Sequence, residues 1–242
     1  MPSHDIHKKW ERELLGVVLI EIDKEIDRKR DSSRKNEEEY EYFLHRVKET
    51  YGERGVYYFA LHHILDRAYW LLQKVLREDL YHSIFIKNTD PVKEKGEGDL
   101  EKYIEYIAEE LCSELSTDYH SLIIRREETR NIVKELISEI FKHKRRVYEL
   151  LYDLMSEKSF KERLFRDLVE KVKWDEPLGE EEAIIIVRIL EGEISLRDGY
   201  SELCKRVRMS PLTLEDNIKR LKKAKEIFDD ILYFLEGYLN LI

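Results

Sequence analysis

The chain has 242 residues, of which 42% are hydrophobic and 39% carry a charge, and its formal net charge is −9. This length and apolar content suit one large folded domain or two small ones and exclude an intrinsically disordered chain. The net negative charge argues against a surface that binds nucleic acid non-specifically over its whole extent, while a local basic patch remains compatible with it.

The composition predicts an all-α fold. Glycine and proline are scarce, with nine and four residues, while leucine, isoleucine, glutamate, lysine and arginine dominate. This balance of charges is also typical of proteins that work at high temperature. Cys112 and Cys204 are the only cysteines, so neither a disulfide framework nor a cysteine-based zinc site is expected. The longest apolar runs are too short to span a bilayer, and we expect a cytoplasmic protein.

The predicted elements follow one another as helices. Ser3 is placed to cap a first helix that Gly16 ends. A second helix follows, and a third is expected from about residue 36 to 51, before a turn at "YGERG". From 56 to 76, apolar residues occupy nearly every direction of a helical wheel, which is typical of a buried central helix.

The rest of the chain predicts further helices and a division into three parts. The segment "NTDPVKEKGEGD", 88–99, is predicted to be a loop or a domain boundary. Residues 121–155 lack glycine and proline, as one long helix or two nearly continuous ones would. The predicted parts are an N-terminal helical bundle over 1–98, a region of long helices packing on it over 99–176, and a helix-turn-helix-like unit over 177–242.

Histidines and an aspartate interrupt the apolar central helix at "ALHHILDRAYW". His62 and Asp66 are four residues apart and share one stripe, and His63 also lies within reach of Asp66. A buried carboxylate needs a partner, and the first helix carries a further pair of histidines at i, i+3 spacing. The predicted site binds a divalent metal (Zn, Mn or Mg) through His4, His7, His62 and Asp66, and Asp31 or His45 could complete it. His63 is expected to act as a proton carrier or an extra ligand.

Such a site would supply metal-assisted hydrolysis of a phosphoester, because a bound metal lowers the pKa of its water and polarises a phosphate. A plainer alternative fits the same residues. In that alternative, His62 and Asp66 form a hydrogen-bonded core pair while His4 and His7 lie at the surface. A scaffold without activity is then the expected protein.

The first part of the chain resembles a group of small helical archaeal proteins with an N-terminal His/Trp segment and an HH-x-x-D helix. The stretches that carry the resemblance are the opening "PSHDIHKKW", the middle element "RDSSRK" and the helix "YGERGVYYFALHHILD". The resemblance covers about the first 70 residues. It implies a distant similarity to metal phosphohydrolases of the HD type. In that group the middle element tends to read His-Asp, whereas this chain has Arg30-Asp31, which removes one ligand and counts against catalysis.

The C-terminal stretch "SELCKRVRMSPLTLEDNIKRLKKA", 201–224, resembles the helix-turn-helix of bacterial and archaeal regulators. Its apolar positions are Leu203, Val207, Met209, Leu214, Ile218 and Leu221. Cys204 is expected where the two helices touch, and Ser210-Pro211 is placed to open the second helix. Arg208 departs from the pattern, because the turn residue there is usually glycine.

This stretch predicts the alternative function, a regulator that binds double-stranded DNA. Residues 201–225 carry a net charge of +5. The expected phosphate contacts are Lys205, Arg206, Lys219, Arg220 and Lys222, and the expected base contacts are Thr213 and Asn217. Glu215 and Asp216 oppose this prediction, since they would repel phosphates, and a purely structural three-helix unit remains open. "ILYFLEGYLNLI" at the end of the chain suggests a homodimer through the C-terminal helix.

Overall fold

The computed structural model describes residues 1–16, 18–19, 21–22, 26, 37–118, 127–175, 178–207 and 210–241. In these ranges the regular structure is helical, with no strand. The helices are α1 (His4–Leu15), α2 (Glu37–Leu80), α3 (Pro91–Lys95), α4 (Leu100–Asp118), α5 (Glu127–Phe141), α6 (Lys144–Ser156), α7 (Lys158–Lys171), α8 (Glu180–Leu190), α9 (Leu196–Arg206) and α10 (Pro211–Asn240), and a π-helical segment, Tyr81–Lys87, continues α2. The predicted all-α fold is confirmed. Among the helices described, none combines the length and the apolar character needed to cross a bilayer.

Helix α1 has the ends that the sequence predicts. Ser3 is the N-cap with extended backbone, and Gly16 ends the helix at a φ of 70°, with its N–H donating to the carbonyl of Arg12. The face that α1 buries carries Ile6, His7, Trp10 and Glu11. This short helix therefore takes polar groups as well as apolar ones into the interior.

Helix α2 joins two stretches that the sequence analysis separates by a turn. The turn at "YGERG" is reduced to a kink at one residue, Gly52, whose φ of 66° and ψ of −157° lie outside the helical region. A positive φ favours glycine, which has no Cβ. Beyond the kink, Phe59, Leu61 and Ile64 are fully buried, so the predicted buried central helix is confirmed.

The described chain groups into two compact units, each built from two separate stretches. Unit 1 comprises Met1–Leu72 and Glu109–Leu154, and unit 2 comprises Gln73–Ala108 and Met155–Ile242. The unit boundaries therefore fall inside α2, α4 and α6. The division of the sequence after residues 98 and 176 stays a prediction.

Each unit has its own core. In unit 1, a cluster of buried side chains is formed by Ile22, Ile26, Phe43, Leu44, Val47, Val56, Tyr58 and Phe59. In unit 2, Phe228 on α10 lies between two rings of α7, edge-on to Phe165 at 5.7 Å and stacked on Phe160 at 6.3 Å between centroids. Aromatic contacts of this kind add to the burial of apolar area.

The C-terminal helices confirm much of the predicted apolar pattern. Ser210 is the N-cap of α10 with Pro211 as its first residue, and the apolar side chains of Leu203, Leu214, Ile218 and Leu221 are buried. The expectation for Cys204 is wrong, because it is exposed instead of lying where two helices touch. Arg208 and Met209 lie outside the described residues.

Candidate metal centre

Three ligand-type side chains of unit 1 meet in its interior. His7 comes from the first turn of α1, and His62 and Asp66 come from one stripe of α2, four residues apart. Their exposed fractions are 3%, 1% and 7%. The values for His62 and Asp66 are low because α2 is packed on nearly every side over this stretch. The local spacing on α2 and the packing of the first turn of α1 thus bring two imidazoles and a carboxylate together.

The distances within this cluster suit a shared ion. Nε2 of His7 lies 3.6 Å from Oδ1 of Asp66, and Nε2 of His62 lies 3.7 Å from Oδ2 of Asp66. One ligand atom from each residue lies within 4.8 Å of the other two. An ion bound tetrahedrally at about 2.1 Å from each donor spaces neighbouring donors about 3.4 Å apart. The two His–Asp distances are therefore a few tenths of an ångström longer than this spacing, and they end on different oxygens of Asp66.

A backbone contact fixes the tautomer of His7. Its Nδ1 lies 3.1 Å from the carbonyl oxygen of Ser3. A carbonyl oxygen only accepts, so Nδ1 of His7 donates in this contact, and in the neutral ring the lone pair is then on Nε2, the nitrogen nearer Asp66. Ligating histidines commonly donate their second ring nitrogen in this way, and the contact orients the ring for metal binding.

The two imidazoles of the cluster are stacked. The rings of His7 and His62 have centroids 4.2 Å apart and are inclined by 15°. Because the lone pair of each nitrogen lies in its ring plane, two nearly parallel rings cannot both point at one ion. Binding a shared ion therefore requires one of these rings to rotate about its Cβ–Cγ bond.

The other residues predicted for this site lie in different places. His4 is exposed at the start of α1 and does not join the cluster, and Asp31 lies outside the described residues. His63 is half-buried beside the cluster, with its ring edge-on to His62 at 5.6 Å and to Phe59 at 4.6 Å. The structure thus brings together His7, His62 and Asp66, with His63 next to them.

Sequence analysis missed one polar residue on the same face of α1. Glu11 is completely buried and follows His7 by four residues. Residues at this spacing are neighbours on a helix surface. The i, i+4 rule that pairs His62 with Asp66 was therefore the signal for His7 and Glu11 as well.

Sequence analysis also missed the contacts that attach α1 to α6. Nε1 of Trp10 donates to Oδ2 of Asp153 at 2.9 Å, and Nζ of Lys9 lies 2.8 Å from the same oxygen and 2.7 Å from Oε1 of Glu149. Burial raises the pKa of Asp153, although hydrogen bonds from Lys9 and Trp10 oppose the shift. Burial would lower the pKa of Lys9, but its hydrogen bonds to Asp153 and Glu149 raise it overall. No local spacing predicts these contacts.

Unit 2 contains a second buried carboxylate, Asp79, near the end of α2. Its Oδ1 lies 2.6 Å from Nζ of Lys95, and its Oδ2 accepts a hydrogen bond of 2.5 Å from the hydroxyl of Tyr103. Lys95 also donates to the hydroxyl of Tyr106 at 2.5 Å. Burial raises the pKa of Tyr103 well above its usual range, and the charge of Asp79 raises it further.

The residues predicted to contact DNA mostly have partners within unit 2. Arg206 pairs with Glu181 and Glu202. Lys219 pairs with Glu215, and Arg220 pairs with Asp216 and donates to the carbonyl of Phe85. Lys205 is exposed, whereas Thr213 and Lys222 are half-buried.

Asn217 requires a correction. It was expected to face bases, but it is buried, and its Nδ2 donates to the carbonyl of Lys173 at 3.1 Å. The reason is its register, since it lies between the buried Leu214 and Leu221 on the inner face of α10. Its amide therefore satisfies a carbonyl of the protein itself.

The fold and this site define an all-α, multi-helix protein with a buried His-His-Asp group that can hold a metal ion. Comparison with protein-family models, with curated proteins and with solved structures finds no match. The resemblances to HD-type phosphohydrolases and to helix-turn-helix regulators stay predictions.

Proposed function

We propose that this chain binds a divalent metal through His7, His62 and Asp66 and uses it for the hydrolysis of a phosphoester. The observation that carries the proposal is the convergence of one carboxylate and two imidazole nitrogens within 4.8 Å, on two different helices. The i, i+4 spacing on α2 accounts for His62 and Asp66 being close together. The approach of His7 from α1 has no such local cause, so it is a property of the fold.

The donor set favours zinc or manganese over magnesium. Imidazole nitrogen is a good ligand for zinc and for first-row transition metals, whereas magnesium prefers oxygen donors and keeps several waters. Three protein ligands leave a coordination position for water, as in hydrolytic zinc sites. A metal there lowers the pKa of that water and neutralises charge on a phosphate oxygen.

The residues beside the cluster fit roles in this chemistry. His63 is half-buried and its ring is edge-on to His62, and its role in the proposal is to carry a proton to or from the site. Glu11 brings a second buried carboxylate to the same face of α1 as His7. A carboxylate that is not a ligand is the usual acceptor for the proton of a metal-bound water.

The proposal is tested first by metal binding. The full chain, stripped with a chelator, is titrated with Co²⁺, whose visible spectrum reports its ligands. We expect about one tightly bound ion per chain in the parent and none in His62→Ala. His143→Ala is the matched control, since His143 is exposed and lies outside the cluster. Binding that is equal in the parent and in His62→Ala would overturn the metal site.

The hydrolytic part is tested separately with bis(p-nitrophenyl) phosphate and a panel of phosphodiesters. Turnover should require Zn²⁺ or Mn²⁺ and should disappear in His62→Ala. In His63→Ala, metal binding should persist while the rate falls by roughly 10²-fold, the usual contribution of a general acid or base. A parent that binds the metal and hydrolyses none of the panel would contradict the catalytic role alone.

DNA binding through α9 and α10 is the second candidate, supported by the position of Ser210 and Pro211 at the start of α10 and by its buried apolar pattern. A duplex-binding assay at low salt tests it, with loss of affinity expected in a Lys219→Ala, Arg220→Ala double variant. Affinity equal to that of the parent would remove this candidate. A homodimer through the end of α10 stays a prediction.

A further inference from the structure

Helix α1 contacts two different helices. His7 lies against Asp66 and His62 of α2, while Lys9 and Trp10 contact Asp153 and Glu149 of α6. All of these residues belong to unit 1. The position of His7 relative to α2 therefore depends on how α1 is held against α6.

The contact between Trp10 and Asp153 is well suited to hold this helix. The indole of Trp10 is fully buried and its N–H donates to a carboxylate, which makes the hydrogen bond stronger than one between neutral groups. Lys9 adds a second charged contact to the same carboxylate. Helix α1 has 12 residues, which is too short for a stable isolated helix in water. Its structure and placement therefore rely on contacts such as these.

We propose that the contact between Trp10 and Asp153 positions α1 so that His7 reaches the metal, which makes Trp10 and Asp153 positioning residues of the proposed site. This inference rests on the proposed metal binding. An ion held by His7, His62 and Asp66 joins α1 to α2. A helix already attached to α6 loses less freedom when the ion binds, and the ion is then bound more tightly.

The inference is tested by removing each half of the contact in the full chain. Trp10→Phe keeps an aromatic ring and removes the donor, and Asp153→Ala removes the acceptor. We expect Co²⁺ to bind roughly tenfold more weakly to each variant, at the lower end of the effect of removing a group that orients a ligand. The double variant should be little weaker than Asp153→Ala alone, because both changes remove the same contact.

Tyr57→Phe is the matched control. The hydroxyl of Tyr57 donates to Oε2 of Glu135 at 2.7 Å, so its removal breaks a hydrogen bond between α2 and α5 of the same unit without touching α1. If Trp10 had only a structural role, the thermal midpoint would fall in both Trp10→Phe and Tyr57→Phe, and the Co²⁺ affinity of the folded protein would be unchanged in each. The expected result is a loss of affinity in Trp10→Phe and none in Tyr57→Phe.

The outcomes separate the two proposals. A parent that binds no Co²⁺ overturns the metal site and, with it, this inference. A parent that binds Co²⁺ with the same affinity as Trp10→Phe overturns the positioning role and leaves the metal site standing. Should Asp153→Ala fail to fold, Trp10→Phe, which keeps an aromatic ring at the site, gives the measurement.

Discussion

Helix α2 buries two aspartates, and their surroundings differ in kind. Asp66 in unit 1 is 7% exposed and faces imidazole nitrogens of His7 and His62. Asp79 in unit 2 is 5% exposed and faces the ammonium group of Lys95 and the hydroxyl of Tyr103. One carboxylate thus meets groups that can bind either a proton or a metal, and the other meets a cation that belongs to the protein.

The two aspartates therefore differ in whether their positive partner is part of the protein: Lys95 is a fixed cation beside Asp79, whereas Asp66 faces two imidazoles. A lysine ammonium stays charged at neutral pH and supplies a permanent counterion to a buried carboxylate. An imidazole supplies positive charge only when protonated, and otherwise offers a lone pair to an ion from solution. We therefore read the surroundings of Asp79 as structural and those of Asp66 as the part of the molecule that responds to its medium.

The largest expected effect comes from removing the permanent counterion. Lys95→Met should lower the free energy of unfolding by about 3 kcal/mol, because it leaves the charge of Asp79 buried without its ammonium partner. Urea unfolding measures this change. Lys158→Met is the control, since Lys158 and Glu162 form an exposed pair in the same unit and such pairs contribute about 1 kcal/mol or less. Equal stability of the two variants would show that Asp79 does not need Lys95.

A slightly smaller effect distinguishes the aspartates by their response to metal. Zn²⁺ at about 100 times its dissociation constant should stabilise the parent by about 2.7 kcal/mol, the gain from a ligand that binds only the folded state. Asp66→Asn should lose this gain, because a carboxamide is a poor substitute for an anionic ligand. Asp79→Asn should keep it, even if its stability without metal is lower. Thermal unfolding with and without Zn²⁺ checks both variants, and a gain retained in Asp66→Asn would contradict the comparison.

The two regions should also respond to opposite ends of the pH scale. Burial and Asp79 raise the pKa of Tyr103, and the pKa of Lys95 is raised as well, since its hydrogen bonds to Asp79 and Tyr106 outweigh burial. Groups whose pKa is raised on folding stabilise the protein fully below their unfolded pKa values, here about 10. This contribution is lost as the pH rises through the folded values.

The unfolding free energy of the metal-free protein should therefore fall above pH ~10, and less steeply in Tyr103→Phe, which no longer has a proton to lose. Co²⁺ affinity should instead fall as the pH is lowered, because protons compete with the metal for the same ligand atoms. Urea unfolding and Co²⁺ titration across pH measure the two profiles. An identical alkaline slope in the parent and Tyr103→Phe would assign the loss to other groups.

The smallest expected effect concerns the histidine that lies outside the cluster. His4→Ala should leave Co²⁺ affinity within about twofold of the parent, because exposed substitutions away from a site have small effects. His7→Ala should abolish tight binding under the same conditions. Co²⁺ titration of the two variants measures the difference between two histidines of the same helix. Weakened binding in His4→Ala would bring that residue back into the ligand set.

Local spacing predicted the parts of the site that lie on one helix. The apolar wheel identified α2 as buried, and the i, i+4 rule placed His62 and Asp66 on one stripe. The same wheel could have separated His7 from His4, because His7 lies about 60° from Trp10 around α1 whereas His4 lies about 120° away. Without this angle, the i, i+3 spacing alone makes both histidines candidate ligands.

Contacts between distant stretches were beyond prediction from a single sequence. Asp153 meets Trp10, and Lys95 meets Asp79, through the packing of helices that no periodicity relates. The boundary between the two units inside α2 has no local mark either, since Leu72 and Gln73 on its two sides are both buried. Helix ends, in contrast, depend on nearby residues. The sequence correctly predicted the first and last residues around α1, Ser3 and Gly16, and the start of α10 at Ser210 and Pro211.

The discontinuous build of unit 1 sets an order of events during synthesis. The cluster residues His7, His62 and Asp66 leave the ribosome early, whereas Asp153 follows only after residues 73–108 of unit 2 have been made. In a nascent chain, the indole N–H of Trp10 therefore waits for its acceptor until long after His7 and His62 have been made. Chains stalled before residue 109 would lack a large part of the first unit, so its assembly waits for the middle of the message to be translated.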